Sequence, residues 1–385
     1  MAERTNSIVI NHLPVPTWNR LRVNSASVDL DRISAGQDAE FSETISEGIG
    51  KQTMPIAEAV SRADSYSTGI RREAYIAGKT AIYQKQIFAT ALGRDFTDLI
   101  NDKAVDARIY TIPDGAKITE PVVLRWDFGK GADAAEQQII YAGEDSEAHF
   151  VLVLESEADA VGLAMLMTKI VLGRGANVRL SKVNMLGNGF TVLDDTAVIE
   201  AEDAFFGFTQ LILGGARVYT GCYSDQCGDS SRLQIDTGYL GKGSRLIDMN
   251  YVACQRGAKT DSKITVKGSL SDESVKVMRG TIDFRKGAKA STGNEQEDVL
   301  ILSPQAVNKT VPVILVEEED VDGRHGATIG NLPEDILFYL GTRGIGREEG
   351  KMLLTRGRLM SIARMIPSAE IIGKIGFFIR EAFAQ

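Results

Sequence analysis

The stretch Gly143–Leu180, GEDSEAHFVLVLESEADAVGLAMLMTKIVLGRGANVRL, decides the fold. Short runs rich in Val, Leu and Ile lie between turn signals built from Gly, Asp, Glu and Asn, which is the pattern of short strands. Only Ala158–Leu172 is ambiguous between strand and helix. The same punctuation returns downstream. A small residue follows a turn signal at Ala148, Ala176, Ala204, Ser231, Ala258 and Ala288. The steps are nearly equal and only the last is slightly longer. Half-steps fall at Ala216, Ser244 and Ser274. A fixed period of this size marks a solenoid, in which each unit buries its inner face only against its neighbours. The unit holds strands alone, so the sequence predicts a parallel β-helix, with small residues where neighbouring coils approach at a corner. A β-sandwich is the competing architecture, but its turn signals carry no such long period.

Outward from this region the periodicity changes. Residues 1–104 read as an extended segment followed by helices. Pro14 and Pro16 favour extended backbone, and Tyr75, Ile76, Ile82, Ile87, Phe88 and Leu92 recur at helical spacing. Residues 105–326 form the predicted β-helix core, and residues 327–385 return to helices. There, Asn331 or Pro333 opens a helix that Gly341 and Gly344 end. Glu348 and Glu349 begin a second, where carboxylates suit the positive end of the helix dipole. Pro367 stops it, and Ser368 caps a third. Residues 342–385 carry eight Lys or Arg against four Asp or Glu. Such an excess in a chain of net charge −9 is either a solvated face or a docking surface for an acidic partner.

Composition narrows the function. The acidic balance disfavours nucleic-acid binding, which needs phosphate neutralisation. Three cysteines, Cys222, Cys227 and Cys254, form no C-x-x-C pair and so indicate reduced thiols rather than a disulfide framework or zinc ribbon. Cys227 and Cys254 are separated by one step of the repeat and are expected to stack on adjacent coils. Met1–Ile10 lacks the features of a secretory signal and no apolar run is long enough to span a bilayer, so a cytoplasmic protein is expected. There is no P-loop, no G-x-S-x-G and no H-E-x-x-H. His325 stands in EEEDVDGRHGATIG, beside Glu317, Glu318, Glu319, Asp320 and Asp322. An imidazole near carboxylates can take a transition metal; a packed histidine at the junction of strands and helices is the alternative.

The segment KTVPVILVEEEDVDGRHGATIGNLPEDILFYLGTRGIGREEGKMLLTRGRL resembles the SufB/SufD family of iron–sulfur cluster assembly scaffolds. His325–Thr328 and Phe338–Gly344 carry its most specific features. RGTIDFRKGAKASTGNEQEDVLIL, at 279–302, and LPVPTWNRLRVN, near the N-terminus, are also similar to family segments. The resemblance implies a right-handed parallel β-helix flanked by N- and C-terminal helical regions. It implies a scaffold and not an enzyme, with no tightly bound cofactor. The implied partners are a SufC-type ABC ATPase, docked on the C-terminal helices through Phe338, Tyr339, Arg343 and Arg347, and a SufB-type paralogue. A homodimer is expected in isolation. His325 would serve a transient iron–sulfur cluster at the paralogue interface, with sulfur supplied by a cysteine desulfurase. Gly326, where SufB has glutamate, points to the SufD branch. Gly323 and Ala306 stand where some members have cysteines. The rival readings are a SufB-like main scaffold and a β-helix carbohydrate-active enzyme.

Overall fold

The computed structural model describes residues 7–17, 19–30, 38–76, 88–332 and 334–384. Two nine-stranded sheets face each other, and each holds eight parallel strands with one antiparallel strand at its N-terminal edge. Successive strands alternate between the sheets, so the chain winds as a parallel β-solenoid of about eight coils. Coil length is not constant: the shortest coil runs from Thr191 to Arg217 and the longest from Val275 to Val307. The Ala158–Leu172 ambiguity resolves as the strand Val161–Leu172. Ala164, Leu166, Ile170 and Leu172 face the solenoid interior, while Leu163, Met165, Met167 and Val171 lie under helices outside it. Burial on both faces removes the polar alternation that otherwise reveals a strand.

The corner that sets the repeat is a stack of small polar or alanine residues: Ser146, Ala176, Ala204, Ser231, Thr260 and Ser291, all buried. The carbonyls of the first five accept from a backbone N–H at the start of the following coil's strand: Ser146 O accepts from Asn177 N, and Ala176 O from Phe205 N. The sequence rhythm identifies three members correctly. Ala148, Ala258 and Ala288 fall out of phase with the true members Ser146, Thr260 and Ser291, because turn length varies from coil to coil. The residue preceding each member has positive φ: Asp145, Gly175, Asp203, Ser230, Lys259 and Ala290. Their N–H groups donate to the turn of the next coil, to Arg174, Glu202, Asp229, Ala258, Lys289 and Asp320 respectively. Left-handed backbone is thus tolerated in five non-glycine residues because every coil repeats the same hydrogen bond.

Helices cover the outer faces. α1 (Ile56–Ile76) sets Ala59 and Ala63 on Ile109, Ile139 and Ala197, and α2 (Arg94–Lys103) sets Phe96 and Ile100 on Leu163, Met165 and Leu193. Of the predicted helical face, Phe88 and Leu92 are buried but lie in irregular backbone that leads into α2 and not on a helix; Ile82 and Ile87, and the side chains of Tyr75 and Ile76, lie outside the described residues. The N-terminal region also contains strands that helical reading missed. Glu40–Thr44 and Gly50–Pro55 pair antiparallel with the first coil and cover that end of the solenoid. On the opposite sheet, α4 (Arg347–Ala363) and α5 (Ala369–Ala384) place Leu359, Ile362, Ile371, Ile375 and Ile379 on Val151, Val183 and Leu211. The Ser368 hydroxyl accepts from Ile371 N at 3.3 Å, the cap read from the sequence. The last strand runs to Asn331, beyond the boundary expected at residue 326.

Charge is buried in this framework. Glu200 is wholly inside, with Oε1 accepting from Ser224 Oγ at 2.5 Å and Oε2 left without a partner. Burial pushes its carboxyl up to about 8. Asp195, which accepts from the backbone of Ala91 and Leu92, is pushed up to about 7 for the same reason. A carboxyl raised in the folded state contributes stability below its unfolded pKa and loses it as pH rises through the folded value. Chemical denaturation should therefore show stability falling between about pH 5 and about pH 9, and Glu200→Gln should fall less across that range. Parallel curves for the two proteins would refute this assignment.

Candidate functional site

The two ends of the solenoid differ. The N-terminal end is closed by antiparallel strands, whereas Val307–Val316 and Val321–Asn331 are the outermost strands of their sheets at the other end. Their residues are half-buried or exposed throughout, including Val307, Val316 and Ile329. Among the described residues no strand pairs with their outer edges. An uncovered edge presents backbone N–H and C=O groups to any strand that can match it.

His325 lies on the last strand, and the register shows what it covers. One inward ladder runs Val122, Phe150, Leu180, Phe208, Ile235 and Ile264, all buried core. It then turns polar, with Glu295 in the penultimate coil and His325 directly opposite it in the last. His325 is exposed, and its imidazole makes no hydrogen bond with a described residue. Glu295 is 3% exposed, and burial, with Glu297 beside it, pushes its carboxyl up to about 7. Glu297 is satisfied differently: Lys276 Nζ donates to Oε1 and Thr310 Oγ1 to Oε2 at 2.6 Å. Gly280 makes room for Glu295, since a Cβ there would collide with the carboxyl.

The acidic run beside His325 in sequence is spent elsewhere. Glu317 accepts from Arg285 at 2.9 Å, Glu318 from Gly287 N at 3.1 Å, and Asp322 holds Arg324 through two bonds of 3.0 and 2.6 Å. The carboxylate that register brings to His325 is Glu295, which sequence reading missed. Its signal was an acid at an inward position of an otherwise apolar ladder. Among the described residues no cluster of three His, Cys, Asp or Glu could hold a metal.

The other named residues form a separate surface. α3 (Glu334–Thr342) and α4 are tied by Arg347, whose Nη1 and Nη2 donate to Glu334 at 2.9 and 2.7 Å. Phe338 is 76% exposed and Tyr339 56%. The Arg343 guanidinium lies 5.3 Å from the Tyr339 ring centroid. Phe338, Gly341, Ile345 and Arg347 line a cleft of about 490 Å³ at this elbow. Exposed aromatics beside arginines are the composition of an interaction surface.

The cysteines are all buried, and burial pushes each thiol up. Cys222 lies in the interior core. Cys227 and Cys254 do not stack as expected. The coil here is longer than the separation of the two cysteines, so Cys254 lies opposite Asp225. A raised thiol pKa makes the nucleophilic and metal-binding thiolate scarce at neutral pH.

A parallel β-solenoid with helices on both outer faces and one open end defines the structural class. Residues 128–358 match the family described as SUF system FeS cluster assembly, SufBD core domain, and the chain belongs to that family. It is 21% identical over 261 residues to the iron-sulfur cluster assembly protein SufD of Bacillus subtilis, covering 66% of this chain and 59% of that protein. It is 24% identical over 236 residues to an iron-sulfur cluster assembly SufBD family protein of Staphylococcus saprophyticus, covering 60% and 50%. A SufBD family protein of Mycobacterium leprae is 22% identical over 379 residues, covering 95% and 42%. The chain therefore spans about half the length of these relatives. No described helix is long and apolar enough to cross a membrane.

Seating Glu295 against Gly280 gives a direct check. Gly280→Ala should destabilise the protein by about 1–3 kcal/mol in chemical denaturation. In a Glu295→Ala background that loss should vanish, because the colliding carboxyl is gone; additive effects would refute the contact.

Proposed function

We propose that this chain is a SufD-type, non-ATPase scaffold subunit of a SUF iron–sulfur assembly complex. One observation carries the reading: the solenoid ends in two strand edges that no described strand pairs with, and the histidine of the family segment stands on one of them. A SufB-type paralogue would add its own last strands across these edges by backbone pairing. His325 would then face the junction with Glu295 behind it, contributing one ligand to a nascent cluster that is cargo rather than resident cofactor. The partner's groups would complete the set, since the three cysteines of this chain are all buried. Sulfur would come from a cysteine desulfurase system.

The elbow of α3 and α4 would dock a SufC-type ABC ATPase. Phe338 and Tyr339 supply the apolar contact, and Arg343 and Arg347 the charge. The elbow follows the last strand directly in the chain, so nucleotide-driven movement of the ATPase would shift the open end while the rod stays rigid. In the absence of a paralogue the same edges would pair two copies of this chain.

Co-expression with an ABC-type ATPase and a SufB-type scaffold tests the reading by size-exclusion chromatography. The three chains should elute together. Phe338→Ala combined with Arg347→Glu should release the ATPase and leave the scaffold pair. Ile329→Pro, which removes an edge N–H, should release the paralogue. His325→Ala should keep the assembly but lose cluster absorbance after anaerobic reconstitution. A chain that remains monomeric beside both partners would overturn the proposal.

A further inference from the structure

The second corner of the solenoid contains an exception. The register stacks Ala216, Arg245, Ser274 and Ala306 on successive coils. Three are small, as close approach of coils requires; the fourth is an arginine. Arg245 is 6% exposed. Its Nη1 donates to the carbonyls of Leu213 and Leu240, and Nη2 donates to Asn188 Oδ1 at 3.0 Å. Of the five guanidinium N–H groups, these bonds use three, and the buried Nε has no partner.

What Arg245 lacks is a counter-charge. Lys182 faces Asp194, Lys276 faces Glu297 and Arg279 faces Asp248. Arg245 forms no ion pair with a described carboxylate. Carbonyl oxygens take three of its donors but leave the charge uncompensated, and a buried lone cation is strongly unfavourable. Desolvation alone acts on it, lowering its pKa to about 10.

Arg245 lines a cleft of about 590 Å³ between this corner and α5. Leu186 and Ala158 are on one side, Phe377 and Phe378 on the other. Phe377 is 56% exposed. Lys242 is a second cation in the lining, held by donation from Nζ to the Ala382 carbonyl and by the Phe383 ring, 5.3 Å away. The two acids present do not neutralise Arg245. Asp272 Oδ2 accepts from Gly243 N at 2.8 Å and from Ser271 Oγ at 3.2 Å, so it serves the turn. Glu381 is exposed on α5.

We propose that this cleft binds a small organic anion, with a carboxylate or phosphate group on Arg245 and an apolar body against Phe377 and Phe378. The size is that of a small-molecule site, and aromatic walls with few polar groups are its usual lining. Guanidinium N–H groups match carboxylate and phosphate oxygens geometrically. An arginine kept only to staple the corner would need its donors and not the open aromatic wall beside them.

The full chain should be titrated calorimetrically, at low salt, with phenyl phosphate, benzoate and inorganic phosphate. One organic anion should saturate a single site, and which one does so separates phosphate from carboxylate recognition. Inorganic phosphate should bind at least about tenfold more weakly, since it lacks the apolar body. Arg245→Gln should abolish binding. Phe377→Ala, at an exposed position, should weaken the organic anion without affecting inorganic phosphate, and Glu381→Gln should tighten it. The proposal is overturned if neither organic anion saturates, or if Arg245→Gln binds undiminished. Should Arg245→Gln not fold, unchanged affinity in Phe377→Ala overturns it equally.

Discussion

A coil of this solenoid satisfies its backbone only through the coils above and below it. Each strand donates and accepts across to its neighbours in parallel register, and even the left-handed corner residues hydrogen-bond forward into the next turn. Such a structure has no internal way to finish. At the N-terminal end the chain solves this by folding back two antiparallel strands. At the other end no described strand does so: after Asn331 the chain leaves for the side of the rod, where α4 and α5 pack on a sheet face. The unfinished coil is therefore a direct consequence of the stacking rule combined with the path of the last helices.

The interior changes character toward that end. Early coils are filled by Phe150, Leu180, Phe208 and Ile235, while the penultimate coils hold Lys276, Glu295 and Glu297, with Thr310 beyond them. Burying these groups costs more than burying aliphatics of similar volume. Lys276 and Glu297 offset part of the cost through their pairing; Glu295 has no such partner and remains against Gly280. Apolar residues would continue the ladder at lower cost, as Ile264 does one coil earlier. A buried carboxyl without a described ion-pair partner, under an exposed imidazole, is a cost that the packing of the rod does not require.

The repeat was legible because the corner from Ser146 to Ser291 keeps a small residue or threonine in every coil while the strands vary. Ala176, Ala204 and Ser231 could be placed by that rule alone. The phase slipped at Ala148, Ala258 and Ala288, where turns of unequal length offered a small residue near, but not at, the stacked corner position. The strand at Val161–Leu172 was obscured by burial on both faces, and the capping strands at 40–55 carry too little apolar alternation to declare themselves. For the site, the sequence pointed to His325 and supplied the wrong companions. Glu317, Glu318 and Asp322 are close in the chain, yet they serve the neighbouring turn or Arg324. Glu295 is a whole coil away in sequence and directly opposite in space. In a solenoid, proximity is set by the coil length, so a site must be read across the repeat and not along it.

The same rule separates the thiols from the imidazole. Cys222 faces inward among Tyr251 and Val218, and Cys227 lies under α1 with Ala63 and Ile199. No rotamer change brings either to the open end, because both sit several coils away in a rigid stack. Exposure of the Cys222 thiolate would require coils to separate, which breaks a whole ladder of backbone bonds at once, and exposure of Cys227 would require α1 to lift from the sheet. An exposed imidazole on the last strand needs no such opening. On this geometry the imidazole of His325 can be reached from the open end of the rod, whereas the three buried thiols cannot.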